Sequence, residues 1–251
     1  MNENIFFRYK LPFRRVKFLI YFICLLLISF NTTAQDSTIN KYGLYIITNE
    51  ARFRRSIENQ PEKLMVDVGM SVPGIILNLR YAGKNNFLHE RLYSHTNSSY
   101  LRLRAVMALA GAQHELNNKK IGLMIWDAYR PYSVTEKMWE QIKDERYTAN
   151  PNKGSGHNRG IAVDVTLIDT ITKMPLDMGT DFDNFTDTAH HDFKNLPQSV
   201  LSNRALLRST MEKYGFKALE TEWWHYYLQA GETFELLDIP FRVMSRLTQQ
   251  K

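Results

Sequence analysis

Apolar and polar positions begin to alternate at Leu64. Leu64, Val66, Val68 and Met70 mark every second residue, as in a half-buried strand, and Ile75 to Leu79 adds a short apolar run after Pro73-Gly74. Asn97-Ser98-Ser99 supplies cap candidates for a helix to about Leu116, with Leu103, Val106 and Ala110 on one side and Asn117-Asn118 at its end. Ile121 to Tyr129 reads as a buried strand closed by Arg130-Pro131, and Ser133 with Glu136 forms a capping box for the next helix. Ile161, Val163, Val165 and Leu167 alternate with Ala162, Asp164 and Thr166, which predicts another strand. A helix fits Val200, Leu207, Met211 and Tyr214 with Gly215 as its left-handed stop, and the aromatic run Trp223 to Leu228 predicts a final strand. Residues 35–60 read as a polar lead-in, where Arg52, Arg54 and Arg55 mark a solvated face.

Strands and helices do not alternate regularly, so the expected class is α+β, one domain with a mainly antiparallel sheet and helices packed around it. No repeat, low-complexity tract or glycine-rich phosphate loop interrupts the chain. Upstream, Arg8, Lys10, Arg14, Arg15 and Lys17 precede an uncharged run from Phe18 to Phe30, and Ala34 follows among small and polar residues. That order predicts a signal peptide over 1–34, a catalytic domain over 35–251, and an exported or periplasmic protein. The 13-residue run is short of the roughly 20 needed to span a bilayer as a helix, so no stable membrane insertion is expected after cleavage.

Charge follows from the same division. Five of the 32 basic residues and one of the 26 acidic ones precede residue 35, leaving 27 against 25. So little excess gives no nucleic-acid footprint. The single cysteine, Cys24, lies in the apolar run, which leaves the domain without a disulfide or thiolate ligand.

Three segments carry candidate chemistry: Ser155 to Asp164, Glu222 to His225, and Asp127 to Pro131. A carboxylate at Asp164 within an apolar strand is costly unless compensated, and a metal ion would compensate it. Gly154, Gly156 and Gly160 let the preceding loop fold back, so that His157 approaches Asp164. His225 offers a second imidazole. Two histidines and a carboxylate leave one tetrahedral position open, as catalytic zinc requires. Glu222 is the candidate general base, and reaching the site from three residues before His225 calls for a turn or bulge in that strand. Arg130, at a strand end, can stabilise a developing oxyanion. His190-His191 is a weaker metal candidate because adjacent residues rarely converge on one ion, and His89, His95 and His114 are weaker still.

These segments resemble the VanX-type D-alanyl-D-alanine dipeptidases, zinc peptidases that share the hedgehog/DD-peptidase fold. Ser155-Gly156-His157-Asn158-Arg159-Gly160 with Asp164 is similar to the family's zinc segment, Glu222-Trp223-Trp224-His225 to its Glu-x-x-His segment, and Asp127-Ala128-Tyr129-Arg130-Pro131 to its arginine segment. Arg80-Tyr81-Ala82, Asn86-Phe87 and the stretch from Met178 to Phe185 extend the likeness. The resemblance implies one zinc ion on His157, Asp164 and His225, with Glu222 as general base and proton donor and Arg130 at the tetrahedral intermediate. It also implies that Asp183 and Ser155 bind the ammonium of a small dipeptide. D-alanyl-D-alanine hydrolysis in cell-wall turnover or recycling is then the expected activity. Carboxypeptidase trimming of peptidoglycan stems and an inactive zinc-containing binding module stand as alternatives.

Overall fold

The structure is a computed structural model that describes residues 39–249, apart from 59, 95 and 230–233. The predicted signal peptide lies outside the described residues. The elements are β1 (Ile46–Ile47), α1 (Glu50–Ile57), β2 (Met65–Asp67), α2 (Val68–Ser71), β3 (Ile76–Leu77), β4 (Tyr100–Arg102), α3 (Leu103–Asn117), β5 (Ile121–Asp127) and α4 (Tyr132–Gln141). After them come α5 (Gly156–Arg159), β6 (Ala162–Asp169), α6 (Gln198–Lys213), β7 (Phe216–Leu219), β8 (Glu222–Leu228), β9 (Leu236–Leu237) and α7 (Phe241–Gln249).

Five strands form the central sheet in the order β3-β5-β6-β8-β7, and only the β3–β5 pair is parallel. This is the mainly antiparallel α+β arrangement expected from the pattern. Two small sheets, β2 with β4 and β1 with β9, lie apart from it. Helix α3 packs on β5 and on α6, and α6 also packs on β7 and β8. The alanines of α3 favour a helix, and Val106, Leu109 and Leu116 give it an apolar stripe that is almost wholly buried. Burial of each such leucine contributes about 1.5–3 kcal/mol, more than the few tenths separating most helix propensities, so tertiary packing holds this helix.

Strand β6 is buried on both faces through Ile168, which is why its apolar run is nearly continuous. Gly215 stops α6 with φ +88°, as predicted. Elsewhere the boundaries differ from the sequence reading. The helix expected after Asn97 starts only at Leu103, because Tyr100–Arg102 pairs with Met65–Asp67 as strand β4. The alternation from Leu64 to Met70 ends at Asp67, whose side chain caps α2 by accepting from the Met70 amide at 3.1 Å. The buried residues there are Met65 and Val68, the latter as expected, while Met70 is 81% exposed. The Ser133–Glu136 capping box does not form. The Ser133 amide and hydroxyl instead donate to Asp238 at 3.1 and 2.7 Å. Part of the polar lead-in belongs to the fold, since Phe53 of α1 is buried and β1 pairs with β9. No helix among the described residues is long and apolar enough to cross a membrane.

Candidate active site

Asp164 and His225 are register partners across β6 and β8, so their side chains leave the sheet on the same face. His157 reaches them from α5, a single turn capped at both ends. Ser155 and Asn158 form a reciprocal capping box at its start, and Gly160 closes it at φ +71°. A Cβ on Gly160 would lie 2.7 Å from the Met65 thioether. Arg102 anchors the turn from outside, its amide donating to Gly160 O at 2.7 Å and its Nε to Arg159 O at 2.8 Å. This fully buried guanidinium also binds the carbonyls of Lys63 and Glu235.

His157 Nδ1 donates to the Ala128 carbonyl at 2.6 Å, which leaves Nε2 with its lone pair toward the site. From that nitrogen, His225 Nδ1 lies 3.2 Å away and Asp164 Oδ2 3.4 Å away, and Asp164 Oδ1 is 2.9 Å from His225 Nδ1. A tetrahedral ion with ligands at 2.0–2.1 Å needs donor–donor edges of roughly 3.3 Å. The three donors, all within 4.8 Å of one another, already stand at about that spacing. Two imidazoles and one carboxylate are also a donor set that suits zinc. Burial opposes ionisation of Asp164, yet His157 and His225 outweigh it and hold the carboxyl well below its usual range.

Glu222 sits 3.9 Å from His225 Nδ1. The predicted irregularity is present: the partner of β7 jumps from Tyr226 at Ala218 to Glu222 at Leu219, so Trp223 to His225 have no partner on β7 while His225 keeps its register with β6. Glu222 thereby lines the same cavity as His225. Burial, with Asp164 and then Asp183 adding negative charge, pushes its pKa well above the normal glutamate range.

Arg130 Nε and Nη2 both donate to Asp127 Oδ2, at 3.0 and 2.8 Å, and its guanidinium lies over the Tyr81 ring at 5.1 Å. Nη2 is 3.9 Å from Asp164 Oδ2. Asp127 is fully buried and also accepts from Tyr93 OH at 2.6 Å. Asn158 ties the two segments together by donating to Arg130 O at 3.0 Å. Asp183, in the left-handed region at φ +58°, accepts from Tyr81 OH at 2.9 Å and from the Phe87 amide at 3.2 Å. Burial lifts its pKa to about 7.

A cavity of about 190 Å³ brings these groups together, with Tyr81, Arg130, Ser155, Asp183, Glu222 and Trp224 in its wall beside the three ligand candidates. The structure thus assembles all seven residues singled out from sequence. Ser155 has a second duty, since its Oγ accepts from the Asn158 amide at 3.2 Å as the cap of α5. His190 and His191 are not part of the cavity wall, and His191 N donates to Glu220 O at 2.9 Å; His95 lies outside the described residues. Sequence reasoning missed Arg102, Asn158 and the cavity-lining stretch Glu145 to Ala149. Asn158 stood inside the quoted zinc segment without a role of its own, and the others carry no local pattern that sets them apart from surface residues.

The family model Peptidase_M15, described as D-ala-D-ala dipeptidase, matches residues 62–241. A D-alanyl-D-alanine dipeptidase of Escherichia coli (strain K12) is 32% identical over 173 residues, covering 69% of this chain and 89% of that protein. One from Enterococcus faecalis (strain ATCC 700802 / V583) is 30% identical over 174 residues, covering 62% of this chain and 86% of that protein. Among solved structures, VanYB in complex with D-alanine-D-alanine aligns at 12% identity over 62% of this chain and 87% of that one, with a TM-score of 0.36. That likeness is too loose to bear on the site. The sequence match spans well over half of the chain, including every residue of the cavity just described, and the chain belongs to the D-ala-D-ala dipeptidase family of M15 peptidases.

Proposed function

We propose that the protein is a zinc-dependent dipeptidase that hydrolyses D-alanyl-D-alanine to two D-alanines. The observation that carries this reading is one small cavity walled by His157, Asp164 and His225 together with Glu222, Arg130 and Asp183. His157 Nε2, His225 Nδ1 and the Asp164 carboxylate would hold the zinc, which when bound supplies Lewis acidity at the scissile carbonyl.

The chain's own groups account for the rest. Glu222, whose burial makes it a stronger base, takes a proton from the attacking water and passes it to the leaving amine as the C–N bond breaks. Arg130, held from behind by Asp127, turns its guanidinium toward the oxygen on which negative charge develops. Ionised Asp183 accepts from the substrate ammonium, and Ser155 Oγ, whose second lone pair is left over from the Asn158 cap, accepts from it as well. A buried carboxylate set for an amine favours a dipeptide over a longer stem, which would leave that carboxylate unpaired.

Purified zinc-loaded enzyme is expected to release D-alanine from D-alanyl-D-alanine and not from a muropeptide ending in the same two residues. Cleavage of the muropeptide alone would instead indicate a carboxypeptidase and remove the role given to Asp183. Glu222→Ala should keep zinc and lose at least about 10²-fold in kcat. Undiminished turnover would overturn the mechanism, whereas a wild-type protein that holds zinc without turnover would be a binding module. We further propose export, with cell-wall peptide recycling as the role, on the basic and apolar order of residues 1–34. N-terminal sequencing of the protein recovered from its source cells checks the cleavage.

A further inference from the structure

The open face of the central sheet continues beyond His225. Alternate residues of a strand project to one side, so Tyr227 follows His225 on this face at about 7 Å. Lys217 of β7 stands opposite Tyr227 on one side, and Ala162 of β6 stands opposite it on the other. A groove of about 550 Å³ runs over this strip, its wall including Gly156, Arg159, Lys217, His225, Tyr227 and Gln229. Gly156 and His225 belong also to the catalytic cavity, so the two spaces meet at the metal-ligand candidates.

Their charges are opposed. In the cavity wall four acids, Glu145, Asp164, Asp183 and Glu222, outnumber Arg130 and Arg146, whereas the described residues lining the groove include two cations and no acid. Arg159 is partly buried, and its two hydrogen bonds go to carbonyls, Ser155 O at 3.1 Å and Lys153 O at 3.2 Å. Lys217 is exposed, and Glu220, the acid whose charge it feels, is itself hydrogen-bonded to Arg208. Among the described residues neither cation is hydrogen-bonded to a carboxylate, and an anion seated in the groove would pair with both.

Because the groove shares Gly156 and His225 with the cavity, a dipeptide held with its ammonium on Asp183 and its scissile bond at His157, Asp164 and His225 can extend its second residue into the groove. We propose that Arg159 and Lys217 form a subsite that selects dipeptides whose second residue carries an acidic side chain, in addition to the α-carboxylate that all dipeptides share. The proposal rests on the dipeptidase reading above. Hydrolysis is unchanged in its chemistry; the subsite acts on which leaving residue is accepted.

The test compares kcat/KM for D-Ala-D-Glu, D-Ala-D-Lys and D-Ala-D-Ala with the zinc-loaded enzyme. The acidic substrate should exceed the basic one by about fivefold at low ionic strength, the upper range for an exposed charge pair, and the gap should narrow as salt screens it. Lys217→Gln should shrink the ratio, and Lys217→Glu should invert it. Turnover of D-Ala-D-Ala by each variant reports that it is folded and active. An enzyme that cleaves D-Ala-D-Ala yet shows no preference for the acidic substrate, or a preference indifferent to both Lys217 variants, overturns the subsite and leaves the dipeptidase reading standing. Failure of the wild type on all three substrates overturns both.

Discussion

Asp183 shows how a single residue takes its chemistry from its surroundings. Its carboxylate is held by Tyr81 OH and the Phe87 amide, yet burial still raises its pKa to about 7. Because the folded value lies above the unfolded value of 3.8, the stability gained from the neutral form is complete below about pH 4 and is lost as pH rises through about 7. A substrate ammonium reverses the preference by pairing with the ionised form. Apparent affinity for D-Ala-D-Ala, read as 1/KM, should therefore rise with pH through about 7. Asp183→Asn should abolish that rise and raise KM by about tenfold to a hundredfold, the range for a charge-assisted hydrogen bond. A KM profile that keeps its pH dependence in the variant would separate the titration from Asp183. The sequence pointed to Asp183 through family resemblance alone, because nothing in its local pattern separates a buried carboxylate from a loop aspartate.

At the scale of elements, the strands that carry the site were legible and their joints were not. Alternation in β6 and the aromatic run of β8 identified both strands, and the three-residue spacing from Glu222 to His225 required the register break that the β7–β8 pairing contains. The start of α3 was misplaced because Tyr100–Arg102 is fixed by pairing with β2, some 35 residues earlier in the chain, which no local signal encodes. The short helix α5 depends on Gly160, which supplies both a left-handed backbone at φ +71° and room beside Met65. Gly160→Ala should cost about 1–3 kcal/mol through backbone strain, with overpacking added. It should also lower zinc affinity, because α5 presents His157. Thermal unfolding with zinc titration checks both, and a variant with unaltered melting temperature and metal content would show that α5 does not rely on this turn.

Across the whole molecule, the ligand candidates join three elements, α5, β6 and β8, that meet only in the folded chain. Zinc bound to that state alone stabilises it by about 4 kcal/mol at a thousandfold excess over Kd. For a domain of this size the melting temperature should then rise by roughly 10 °C on loading and fall again with a chelator. His157→Ala should lose most of the shift. A melting temperature insensitive to zinc in the wild type would contradict a preformed site. The same wide view explains the opposed charges of the cavity and the groove, since Asp183 and Lys217 belong to distant segments and neither announces the other in sequence.

What the sequence determined by itself was the metal-ligand and base candidates and the α+β class, because strand period, glycine placement and the cost of an isolated carboxylate are local properties. Tertiary structure alone decided the rest: the 3.2 and 3.4 Å spacings around His157 Nε2, the anchoring of α5 by Arg102, and the cationic groove beside the cavity. Each of these joins residues far apart in the chain or on different elements. Their contacts are set by strand register and by burial, which act between segments rather than along them.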